Sequence, residues 1–140
     1  MEKQQLSSLH HCVFALHYHL VLVTKYRQKV IDEKMMKRFR EIFTETLEKW
    51  ECSLIEFNGE PDHVHLLLTM TPAIQPSKLI NNLKTVSSRL IRKEFAVHVK
   101  KFYWNPVFWH RSYCLMTTGG APIDVIKKYI EEQGAHEDAS

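Results

Sequence analysis

The chain has 140 residues, of which 44% are hydrophobic, 25% charged and 11% aromatic, with a formal net charge of +3. This excludes a disordered or low-complexity polypeptide and supplies the apolar content of a single domain over residues 1–140. The charge is uneven: residues 61–118 carry eight Lys/Arg against Asp62 and Glu94 alone, while 1–60 balance nine against nine and the stretch from Gly119 onward has two against five.

The run CVFALHYHLVLVT (12–24) is rich in β-branched and aromatic residues and reads as a central strand. From Asp32 the period changes: Met35, Met36, Phe39, Ile42, Phe43, Leu47 and Trp50 recur at three- and four-residue spacing, which predicts an amphipathic helix with an Asp cap. CSLIEFN (52–58) and HVHLLLTM (63–70) read as two strands joined by the turn GEPD. After Pro72 and Pro76 a second helix is predicted to about Phe95. Its inner face is Leu79, Ile80, Leu83, Val86, Leu90 and Ile91, and its outer face Lys78, Lys84, Arg89, Arg92 and Lys93. SYCLMTT (112–118) is a further strand, and Gly119-Gly120 precede a last helix opening at Ala121-Pro122. The first six elements follow the order of an α+β, ferredoxin-like (RRM-like) fold: an antiparallel sheet with helices on one face, here with an added C-terminal helix bearing Tyr129.

No apolar run approaches the ~20 residues of a membrane span, and MEKQQLSSLHH lacks an apolar secretory region, so a cytoplasmic protein with no membrane partner is expected. Cys12, Cys52 and Cys114 form no CxxC and are expected to be reduced thiols. The basic middle segment fits a polyanionic partner such as nucleic acid, although charge alone more simply describes a solvated face.

Chemistry concentrates in two places. In His63-Val64-His65 both imidazoles leave one face of a strand, a spacing that can bite a divalent cation. His17-Tyr18-His19 repeats it, so packing is an open alternative, and Leu67 stands where a histidine-triad hydrolase requires a third His. In KKYIEEQ (127–133), Tyr129 and Gln133 are four apart and share a helix face. Tyrosine is a potential nucleophile and glutamine a neutral oxygen donor, although Val125, Ile126, Tyr129 and Ile130 also form an apolar stripe. Tyr103, Trp104, Phe108 and Trp109 lie near Lys100, Lys101 and Arg111, a mix that either stacks bases or fills the core.

From about Phe14 to Gln133 the chain resembles the single-tyrosine HUH transposases of the smallest bacterial insertion sequences. HYHLVLVTKYRQKV (17–30) looks like their opening strand, EPDHVHLLL (60–68) their His-hydrophobic-His strand and LKTVSSRLIRKEF (83–95) their second helix. FWHRSYCLMTTGGAPIDVIKKYIEEQ (108–133) looks like their closing strand, glycine joint and tyrosine helix. The resemblance implies that Tyr129 is the nucleophile and that His63, His65 and Gln133 hold a divalent metal, Mg²⁺ or Mn²⁺. It also implies a 5′-phosphotyrosine intermediate, single-stranded DNA with hairpins at the element ends as partner, and a homodimer with shared active sites hinged at Gly119 and Gly120. His17 and His19 fall outside the motif and are expected to be structural or to support the ligands. Lys84, Arg89, Arg92 and Lys93 are expected to touch DNA phosphates. Only seven residues follow Gln133, so a longer C-terminal helix is expected to be absent or very short. A non-catalytic ferredoxin-like nucleic-acid-binding protein, and a nuclease that uses water instead of Tyr129, are the competing readings.

Overall fold

The computed structural model describes residues 7–9, 12–14, 16–117 and 128–132, with side chains over 16–117 and 128–132. A short antiparallel pair, β1 (Ser7–Leu9) and β2 (Cys12–Phe14), stands apart from the main sheet. The main elements are β3 (His17–Val23), α1 (Glu33–Lys49), β4 (Leu54–Glu60), β5 (His63–Thr69), α2 (Pro76–Glu94), α3 (Ala96–Val99) and β6 (Cys114–Thr117). Residues 128–132 are helical. The main sheet has the order β4-β5-β3-β6 with every neighbour antiparallel, the arrangement expected of a ferredoxin-like fold.

Local chemistry explains the boundaries. Asp32 caps α1, its side chain accepting from the Met35 N–H at 2.8 Å. Pro76 starts α2, where its missing N–H costs nothing. The long strand expected over 12–24 is divided: β2 pairs only with β1, and β3 alone enters the main sheet. The turn before β5 is tighter than GEPD, because β4 continues through Glu60 and leaves Pro61-Asp62 to reverse the chain.

Alternate residues of β3 and β5 serve the two faces of the sheet. Leu20, Leu22, Val64, Leu66 and Leu68 are buried against Met35, Phe39, Phe43 and Leu47 of α1 and Leu79, Ile80 and Leu83 of α2. On the opposite face Val21 and Val23 are equally buried, under Ile130 and the half-buried Tyr129. The helices therefore cover one face and the tyrosine-bearing segment the other. Among the described residues no helix is long and apolar enough to cross a membrane.

Gly59 marks a close approach in this sheet. A Cβ there would lie 2.5 Å from the His63 carbonyl oxygen and 3.0 Å from the Val64 Cα, both backbone atoms. Gly59→Ala is therefore expected to part β4 from β5 and to lower stability by about 1–3 kcal/mol. Thermal melting checks this; a melting temperature unchanged from the parent chain means the strand pair absorbs the methyl group.

Candidate active site

β5 is paired in register with β3, so Val23 lies opposite His63 and Val21 opposite His65. Residues directly opposite in an antiparallel pair project to the same side. His63 and His65 therefore share the face of Val21 and Val23, the one that segment 128–132 covers.

His63 is held from behind. Its Nδ1 is 2.8 Å from Asp62 Oδ1, and the other oxygen of the same carboxylate takes a 2.9 Å hydrogen bond from Arg27 Nε. Burial pushes the Asp62 carboxyl up, but the hydrogen bonds and charges of His63 and Arg27 outweigh it and hold it below the usual range. A carboxylate on Nδ1 fixes the ring and presents Nε2 outward, the arrangement that orients metal-ligating histidines. Asp62 is itself anchored, since its carbonyl accepts from the Thr24 N–H at 3.0 Å and from the Thr24 hydroxyl at 3.1 Å.

His65 lies against His19. The rings are stacked with centroids 5.0 Å apart, and His65 Nε2 is 2.8 Å from His19 Nδ1. Burial, then the proximity of His19 and His63, pushes the His65 imidazole down, with Glu56 pulling the other way, so the neutral ring is favoured. Neutral imidazole is the form that binds a cation. His19 thus touches a proposed ligand, whereas His17 sits opposite Thr69 at the far end of β3.

Tyr129 packs against the Val21–Val23 face beside Cys114, and its hydroxyl is 3.3 Å from Ser112 Oγ. Ser112 Oγ is in turn 3.0 Å from His110 Nδ1. Burial raises the Tyr129 phenol, the Ser112 hydrogen bond works against this, and Cys114 adds to it. In this position Tyr129 is a neutral phenol. His63 and Asp62 border a cavity of about 620 Å³ together with Arg27, Lys29, Glu60, Ile130 and Glu131. The tyrosine segment thus roofs the histidine face, while the Tyr129 hydroxyl turns toward Ser112 rather than into that cavity.

Gln133, Gly119 and Gly120 lie outside the described residues. Among the described residues no three His, Cys, Asp or Glu side chains are grouped closely enough to hold a metal ion. Two imidazoles on one face, one with a fixed tautomer and one held neutral, suit a cation that draws a third donor from beyond those residues.

Arg89 and Lys93 are exposed on α2 as expected, and Arg92 is half-buried with Nε 3.1 Å from Ser88 Oγ. Lys84, the fourth residue expected to touch phosphate, is turned back onto the protein in this structure. Its ammonium reaches back to donate to the His110 carbonyl at 2.8 Å and the Arg111 carbonyl at 2.7 Å. Burial, followed by the charge of Lys25, lowers its pKa. The aromatic cluster divides: Tyr103, Phe108 and Trp109 are buried in the core, and only Trp104 is exposed, at 98%.

Asp62, Arg27 and Ser112 are not singled out as site residues by the sequence, whereas His19 is expected there to be structural or to support the ligands, and it lies against His65. The signal for Asp62 was there, an acid directly before the His-x-His pair, but it reads first as a turn residue. Nothing local pointed to Ser112, which meets Tyr129 across 17 positions of chain.

Residues 12–133 match the family model described as Transposase IS200 like. The chain is 31% identical over 121 residues to the ISDra2 transposase TnpA of Deinococcus radiodurans, covering 86% of each chain. It is 31% identical over 136 residues to the transposase for insertion sequence element IS200 of Salmonella typhimurium, covering 95% of this chain and 89% of that one. Among solved structures, a candidate transposase from Deinococcus radiodurans superposes with a TM-score of 0.82 at 31% identity, over 91% of this chain and 97% of that one. A REP-associated tyrosine transposase bound to a REP hairpin shares the fold, with a TM-score of 0.56 at 8% identity over 83% of this chain and 62% of that one.

Proposed function

The chain belongs to the IS200-like transposase family, and from that premise we propose that it cuts and rejoins single-stranded DNA at insertion-sequence ends through Tyr129. The observation that carries this is the covering of the His63–His65 face by the segment bearing Tyr129.

His63 through Nε2, His65 and Gln133 are the residues proposed to hold Mg²⁺ or Mn²⁺. When bound, the cation supplies Lewis-acid stabilisation of the scissile phosphate. Asp62 and Arg27 keep the His63 ring in place. His65 would hold the cation on the side away from its 2.8 Å contact with His19 or in place of it. Tyr129 would give up its proton and attack phosphorus, leaving a 5′-phosphotyrosine ester and a free 3′ hydroxyl. The ester keeps the energy of the broken bond, so another 3′ hydroxyl can reseal the strand without ATP. Because Tyr129 faces Ser112, a productive complex requires its segment to shift, or the Tyr129 of a second copy to enter. Hence the proposed assembly is a homodimer with shared sites, the Gly119-Gly120 pair serving as the joint. Hairpins at the element ends are the proposed recognised shapes. The test is a denaturing gel of protein incubated with single-stranded element-end DNA and Mn²⁺ or Mg²⁺. A covalent protein–oligonucleotide band is expected; cleavage without one favours attack by water, and binding without cleavage a non-catalytic module.

Arg89, Arg92 and Lys93 are proposed as phosphate contacts. Neutralising one that touches DNA should flatten the log–log salt dependence of binding by about 0.7–0.9. Lys84→Ala should instead lower the melting temperature, because it strips the His110 and Arg111 carbonyls of their donor. Salt-series anisotropy titrations and melts separate the two; a flattened slope with an unchanged melt for Lys84→Ala returns it to the DNA-facing set.

A further inference from the structure

Tyr26 and Arg27 both adopt left-handed backbone, with φ of 57° and 54°, although neither is glycine. Such a conformation is strained for a residue with a side chain and persists only where its surroundings impose it. Here they do: the Lys25 N–H donates to the Phe108 carbonyl, the Arg27 N–H to the Thr24 carbonyl, and the Arg27 side chain to Asp62. The consequence is that Tyr26 stands out of the protein, half-exposed, with Lys25 Nζ 5.3 Å from its ring centroid.

Tyr26 borders a cavity of about 350 Å³ whose other walls include Phe102, Trp104 and Asn105. Trp104 is almost entirely exposed, although burying an indole would be strongly favourable. Two aromatic rings, one half-exposed and one fully so, with a lysine and an amide at one opening, form the set that takes up an unpaired base: rings to stack, an amide for the base edge, a cation for the phosphate. Tyr26 is linked to the histidine side by its chain neighbour Arg27, which bonds Asp62, the carboxylate that holds His63. We infer that the Tyr26–Trp104 pocket binds one unpaired nucleobase of the DNA strand close to the phosphate held at His63. This rests on the single-strand reading above and adds a base-binding subsite to it.

The test uses fluorescence anisotropy with labelled oligothymidine and an abasic strand of equal length, in the full chain carrying Tyr129→Phe so that no adduct forms. Trp104→Ala should weaken oligothymidine binding by roughly tenfold and leave the abasic strand unchanged, while Trp104→Phe should restore most of the affinity. Tyr26→Ala should behave like Trp104→Ala. Equal losses on both strands would reduce the pocket to a phosphate contact and overturn the inference. So would unchanged affinity for oligothymidine. If the protein with its native Tyr129 still forms its covalent adduct in that case, the strand-cleaving reading stands. A protein that binds neither strand overturns both.

Discussion

Tyr129→Phe should abolish the covalent adduct and strand cleavage, a fall of roughly four orders of magnitude or more to background, while binding of element-end DNA stays near its parent value. The substitution removes one oxygen from a half-buried ring beside Val21, Val23 and Ile130 and leaves that packing intact. Among the described residues its hydroxyl bonds Ser112 at 3.3 Å, a contact at a partly open site worth about 1 kcal/mol or less. Melting curves should therefore nearly coincide. Ser112→Ala removes the same hydrogen bond and keeps the nucleophile, so it should still form the adduct. Loss of adduct in both variants would assign the effect to the hydrogen bond, and cleavage persisting in Tyr129→Phe would transfer the attack to water.

Elements with a one-sided pattern were legible in the sequence. The spacing of Met35, Phe39, Ile42 and Leu47 names the buried face of α1, and the alternation in HVHLLLT puts both histidines of β5 on the face opposite Val64, Leu66 and Leu68. Where a segment serves two masters, pattern fails. β3 buries Leu20 and Leu22 on one side and Val21 and Val23 on the other, so its apolar run carried no information about faces. The 103–109 cluster has no period at all: an irregular backbone sends Tyr103, Phe108 and Trp109 inward and Trp104 out. Lys84 sits between Leu83 and the buried Ser87 on α2, at the margin of the inward stripe, and its long stem lets the ammonium reach carbonyls that helical spacing cannot foresee. The His19–His65 contact depends on strand register, which only the folded sheet sets.

The second large effect is expected at the histidines. His63→Ala and His65→Ala should each reduce cleavage to background, and Asp62→Asn should weaken it about 10–100-fold by releasing the His63 ring. Calorimetric titration with Mn²⁺ gives a readout independent of cleavage: binding should vanish in the alanine variants and weaken in Asp62→Asn. Normal Mn²⁺ binding by His63→Ala would remove His63 from the ligand set. The same variant decides how the site is completed. In this chain Tyr129 faces Ser112 and not the cavity beside His63, so a dimer that shares its sites would supply the tyrosine from its second subunit. Mixing His63→Ala protein with Tyr129→Phe protein then regenerates one intact site per mixed dimer, from the histidines of one subunit and the tyrosine of the other. With random exchange, half the dimers are mixed and each has one of its two sites intact, so recovery of about a quarter of the parent cleavage is expected. If every subunit uses its own tyrosine, the mixed dimer holds one site without His63 and one without the hydroxyl, and no mixture cleaves. That result would require the segment to travel from Ser112 to the histidines within its own chain.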